Sequence, residues 1–233
     1  MLKNRLYILT VIFLFANDLW AQESYSIGFL YSSPVGDYQS TDLENGSFAE
    51  PGWGVTIENK SALRNWPDNL YLGFHFSYQR NKLDQDEVSR QFTEAIGNPA
   101  YAVDVIDGNY NPFTFMIGPF YDIFLTDKIF LGLKSGIGIM FTNIDPMVIN
   151  ITDNSGNEVF SEVLRTEGVP AFTYLLGLSL NLKLSEYAGI GIFADYGGAK
   201  EQVEATFDNL PDFTSEYKLS YINTGLHLMF YLD

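Results

Sequence analysis

His75 and Ser77 stand two residues apart in "GFHFSYQ" (73–79), and residues two apart on a strand share a face. An imidazole beside a hydroxyl is the core of a nucleophilic hydrolase, because the ring can take the proton as the oxygen attacks. Spacing alone singles out no carboxylate to orient that ring. A histidine that hydrogen-bonds inside the fold needs no such partner and is the simpler expectation.

Other ionisable residues fall in the same alternating phase. Glu58, His75, Asp122, Lys134, Lys183, Asp195 and His227 all lie opposite apolar neighbours in their segments. Such groups can line a conducting path or pack into ion pairs and hydrogen bonds. A packed network is the expectation, with Lys134 and Lys183 neutralising Glu58, Asp122 and Asp195. "DNSGNE" (153–158) has the residue types of a weak calcium loop, but it separates two alternating runs and is expected to turn a hairpin. "LDQDEVSRQFTEAI" (83–96) predicts a short surface helix capped by Asp84 or Asp86. No Gly-rich phosphate loop, cysteine cluster or basic patch is present, so neither cofactor nor metal is expected. A net charge of −16 argues against nucleic acid.

These residues are carried by eight segments with apolar residues at alternate positions: 24–32, 52–60, 70–79, 113–122, 129–141, 172–183, 188–197 and 221–232. In 172–183, Phe172, Tyr174, Leu176, Leu178, Leu180 and Leu182 face Thr173, Gly177, Ser179, Asn181 and Lys183 across the strand. No Asp, Glu, Lys or Arg interrupts the apolar face of any segment, whereas the opposite face is rich in Gly, Ser and Thr. A soluble sandwich would need that second face to be its charged exterior. A lipid-facing outside and a narrow, filled inside fit the pattern better, since a Lys or Arg at the bilayer midplane costs about 2–4 kcal/mol.

The ends and connections agree. Lys3 and Arg5 precede the apolar run 6–15, with Ala21 as the last residue of a signal peptide over 1–21 and the barrel domain over 22–233. Connections alternate long (34–51, 82–112, 143–170, 198–216) and short (61–69, 125–128, 185–187), as outer loops and periplasmic turns do. Each long connection carries −4, so the charge gathers on one rim. Asn223, Gly225, Leu228 and Phe230 follow a polar-x-Gly-x-x-apolar-x-aromatic pattern, although the chain continues to Asp233.

That terminal pattern is similar to the assembly signal of outer-membrane barrels. With "PVGDY" (34–38), "IGPFYDIFLTDKIFLGLKSGIG" (117–138) and "AFTYLLGLSL" (171–180), nearly all of the mature chain resembles the small outer-membrane β-barrel proteins of Gram-negative bacteria. The resemblance implies an all-β, eight-stranded antiparallel up-and-down barrel in the outer membrane. It implies lipid, lipopolysaccharide and the barrel-assembly machinery as partners. A monomer with divalent cations held loosely at its acidic rim is expected, with a structural, adhesion or ligand-binding role. A narrow channel is the alternative. The His75-x-Ser77 pair resembles that of outer-membrane lipid A deacylases, which would make the protein a lipid-modifying hydrolase, but "YQRN" (78–81) departs from that family.

Overall fold

A strand whose side chains alternate between lipid and lumen cannot leave an open edge in a bilayer, so the sheet must close. The computed structural model describes residues 20–43, 46–63, 66–207 and 212–232, and there the sheet does close. The strands are β1 (Trp20–Val35), β2 (Ala49–Leu63), β3 (Leu70–Leu83), β4 (Tyr101–Asp107), β5 (Tyr110–Phe124), β6 (Ile129–Asp153), β7 (Glu158–Gly168), β8 (Ala171–Lys183), β9 (Ala188–Phe207) and β10 (Phe213–Leu232). Eight form an antiparallel ring, β1-β2-β3-β5-β6-β8-β9-β10. It is sealed by β10 against β1 from Glu23↔Leu232 to Val35↔Ser220. The expected signal peptide lies almost wholly outside the described residues; Trp20 and Ala21 belong to β1.

The alternation sorts side chains as expected. Ile27 and Phe29 are 55% and 61% exposed on the lipid side, while Leu30, between Phe29 and Tyr31, is 1% exposed in the lumen. Glycines make room inside: a Cβ on Gly73 would sit 2.2 Å from the Phe120 ring, and one on Gly225 would sit 2.8 Å from the Phe193 ring.

Above the membrane the chain is more ordered than a set of loops. Strand β6 runs on to Asp153 and turns back as β7, so "DNSGNE" does make a hairpin. The Asp153 carboxylate accepts from the amides of Ser155 and Asn157 at 2.8 and 2.9 Å, and bonds from Asn157 hold it below its ordinary range. The predicted helix is α1 (Gln85–Ile96), capped by Asp84, which accepts from the Glu87 amide at 3.1 Å, and closed by Gly97 in the left-handed region. Most of 198–216, expected as a loop, is the hairpin of β9 and β10.

Strand β4 pairs with β6 and presents its other edge to α1. There the hydroxyls of Ser89 and Thr93 accept from the amides of Val105 and Val103, both at 2.9 Å. The helix thereby covers an edge that would otherwise be open to strand pairing. Ser89→Ala with Thr93→Ala should remove about 1 kcal/mol per lost bond. Hydrogen exchange at Val103 and Val105 should accelerate while the ring strands are unaffected; unchanged protection would mean that the hydroxyls do not hold this edge.

Candidate functional site

Four ring strands bring charged side chains to mid-lumen. Glu58 on β2 and His75 on β3 are cross-strand partners, Lys134 comes from β6 and Asp195 from β9. His75 Nδ1 lies 2.8 Å from Glu58 Oε1, which, being acceptor-only, places the proton on that nitrogen. Lys134 Nζ donates to the same Glu58 oxygen and, at 2.8 Å, to Asp195 Oδ2. It also lies 5.2 Å from the Phe193 ring centre. All four charged or polar side chains are buried. One ammonium thus ties together two carboxylates across the barrel.

Nearer the periplasm is a second pair. Lys60 Nζ donates to Asp122 Oδ1 at 2.6 Å and lies 5.6–5.9 Å from the rings of Tyr71, Phe120 and Phe130. Between the two levels is a cavity of about 20 Å³ lined by Ser26, Glu58, Lys60, Lys134, Ser179 and His227. That is space for about one water. His227 Nε2 lies 2.7 Å from Asn181 Oδ1, and its ring stacks on Phe193.

Of the lumen residues singled out in the sequence, the structure brings four together. Glu58, His75, Lys134 and Asp195 meet; Asp122 and His227 sit in neighbouring contacts. Lys183 does not join them. Its Nζ lies 5.3 Å from the Tyr231 ring centre, and the partner of Asp122 is Lys60. Lys183 is the last residue of β8 and pairs with Gly189, whereas Asp195 pairs with Gly177 six residues earlier on that strand. Lys60 was readable in the sequence, because it lies two residues beyond Glu58 and shares its face.

Glu58, His75 and Asp195 offer ligand atoms within 4.8 Å of one another, which is metal-like spacing. Lys134 already supplies the cation there. The His75–Ser77 pair gains the acidic partner that spacing could not provide, since Glu58 holds the ring. Ser77, however, is fully buried, and its Oγ has no hydrogen-bond partner among the described residues, so no Ser–His bond is formed.

The outer mouth is closed by apolar packing that the periodicity did not reveal. After β1 a single 3-10 turn, Gly36–Tyr38, folds inward. Tyr38, Phe48 and Val88 join Leu83, Val105, Tyr110, Met140, Leu219 and Tyr221 in one buried cluster over the lumen. Tyr38 meets the Tyr110 ring edge-on at 5.5 Å, and the Tyr110 hydroxyl donates to Ser47 O at 2.7 Å. In the terminal strand, Asn223 is buried in the lumen while Leu228 and Phe230 face lipid at 52% and 44% exposure.

No protein-family model matches the chain, and no curated protein matches its sequence. Solved structures do match. The outer membrane protein OprG from Pseudomonas aeruginosa aligns over 92% of this chain and 97% of its own, with TM-score 0.57 and 6% identity. Ail, the attachment invasion locus protein of Yersinia pestis, aligns over 92% and 100%, with TM-score 0.44 and 12% identity. A major outer membrane protein from Thermus thermophilus aligns over 90% and 99%, with TM-score 0.48 and 9% identity. At these identities the likeness is one of fold. The likeness to OprG, together with the uncharged outward belt, shows the fold: a small eight-stranded β-barrel of the outer-membrane type.

Proposed function

We propose that this protein is a closed barrel that acts at the outer surface, as a structural or ligand-binding element, and is neither a solute channel nor an enzyme. The carrying observation is the double closure of the lumen: the Lys134-centred ion cluster at mid-height and the apolar cluster of Tyr38, Phe48 and Val88 above it. An eight-stranded barrel has an interior that side chains can fill, and here they do. The buried Ser77 supports the same reading against hydrolysis.

What remains accessible is the outer structure, the β6–β7 hairpin, α1 and β4. It exposes Asp86, Glu94, Asp104, Asp107 and Glu158 beside Phe92, Ile96 and Val159. Carboxylates at this height would gather divalent cations next to lipopolysaccharide phosphates, as hard oxygen ligands do. The test of the closed state is planar-bilayer recording of refolded protein. No stepwise conductance is expected across the accessible voltage range. Steady, discrete channels permeable to small solutes would replace this reading with the narrow-channel one.

A further inference from the structure

Under the cap at the barrel mouth lies a carboxylate without a cation. Glu201, on β9, is 0% exposed. Its Oε1 accepts from the Thr142 amide at 3.1 Å, and its Oε2 has no hydrogen-bond partner among the described residues. No ion pair among those residues reaches it. The space it occupies exists because residue 168 is glycine: a Cβ there would collide with Glu201 Oε1. The level is above the lipid. On the outward face Lys200 pairs with Glu216 at 2.9 Å, and Lys218, its register partner on β10, pairs with Asp37 at 2.8 Å.

The segment that covers Glu201 carries a second unusual feature. Residues 36–43 and 46–49 fold over the mouth with Tyr38 pointing in. Phe48, the hinge back into β2, has φ +52°, a left-handed backbone that a bulky residue adopts only at a cost. Hydrogen bonds hold it there: the Phe48 amide donates to Ser40 O at 3.0 Å, and the Asp84 amide donates to Phe48 O at 2.8 Å. Gln91 on α1 adds a bond to Thr41 O at 2.6 Å. A strained segment packed over a buried, uncompensated acid has the parts of a two-state element.

We propose that the described residues between β1 and β2, 36–43 and 46–48, form a proton-latched lid: it closes over a protonated Glu201, and ionisation of Glu201 loosens it. An ionised carboxylate beneath the lid would lack a countercharge, whereas outside it would be hydrated. The groups facing it cannot compensate. Tyr38 from the lid lies beside Glu201 and Tyr221; burial, then these two neighbours, pushes its phenol well above its ordinary value. Tyr217, the β10 register partner of Glu201, is likewise raised by burial. Strand β6 offers Thr142 and β7 offers Gly168. Burial pushes the Glu201 carboxyl up to about 7 against the lowering effect of Thr142.

The sign follows. The closed state holds its proton more tightly than the open state, so closure is strongest below the ordinary glutamate range. It weakens as pH rises through that range towards the closed-state value, then levels off. This goes beyond the closed-barrel reading and leaves it standing if wrong, because a lid that ignores pH still closes the mouth.

The experiment is amide hydrogen exchange of the full barrel in lipid, read at Phe48 and Asp84 and corrected for intrinsic rates. Between about pH 5 and about pH 8.5, protection in the wild type should fall by roughly 50-fold. In Glu201→Gln it should stay flat and exceed the wild type at the higher pH. Flat wild-type protection, or an equal fall in Glu201→Gln, overturns the proposal. If that variant does not fold, carbon NMR of the wild-type Glu201 carboxyl decides: titration near neutrality supports the latch, and titration at the ordinary glutamate value overturns it.

Discussion

Lys134→Met is expected to destabilise the barrel by about 3–5 kcal/mol, the usual cost of removing one partner from a buried ion pair. Lys134 donates to both Glu58 and Asp195, so its loss strands two buried carboxylates at once. Asp195 is the more exposed to this loss, since its Oδ1 already lacks a hydrogen bond among the described residues. Glu58 keeps His75. Restoring neutrality with Glu58→Gln and Asp195→Asn in the Lys134→Met background should recover much of the stability, because amides need no countercharge. Lys183→Met is the control, with a small effect expected from its position over Tyr231. Urea unfolding in lipid or detergent measures each of these variants. Equal losses for Lys134→Met and Lys183→Met would contradict the partner assignment.

The second large effect is on the lipid side. Leu178 is 51% exposed on the outer face of β8, while its neighbour Ser179 is 8% exposed inside. Leu178→Arg should cost about 2–4 kcal/mol near the bilayer centre and impair assembly. Ser179→Arg should act differently, by crowding Gly132 and Asn181 and by adding a further cation to the cavity that Lys60 and Lys134 already line. Varying bilayer thickness separates the two. A thicker bilayer should deepen the Leu178→Arg defect and leave the Ser179→Arg defect unchanged, as read from heat-dependent gel mobility. The same thickness dependence for both would mean that the faces of β8 are wrongly assigned.

The ring was legible because lipid and lumen impose a two-residue period on every strand, and segments such as 172–183 show it without interruption. Side-chain direction follows from that period, which puts Glu58, His75, Lys134 and Asp195 in the lumen. Partner choice does not. It depends on height along the barrel axis, which strand stagger sets. Lys60 therefore reaches Asp122, and Lys183 does not.

The cap was hidden for a different reason. Tyr38 and Phe48 are apolar residues in aperiodic stretches, and only tertiary packing brings them over Tyr110 and Met140. Glu201 carried a faint signal. It alternates with Val203 and Ala205 on the buried side of β9, opposite Gln202 and Glu204, yet its acidic surroundings made the segment look like a solvated loop. The helix was easier. Asp84 precedes a run of good helix formers and caps it in the structure.

At the centre of the account is one ammonium that closes the lumen by binding carboxylates from two other strands. Solid-state NMR of the barrel in bilayers, with labelled lysine nitrogen and carboxyl carbon, observes that contact directly. Cross-peaks from Lys134 Nζ to the side-chain carboxyl carbons of both Glu58 and Asp195 are expected, with slow exchange of the ammonium protons with bulk water. A Lys134 signal that correlates with mobile water and with neither carboxyl would contradict the sealed lumen.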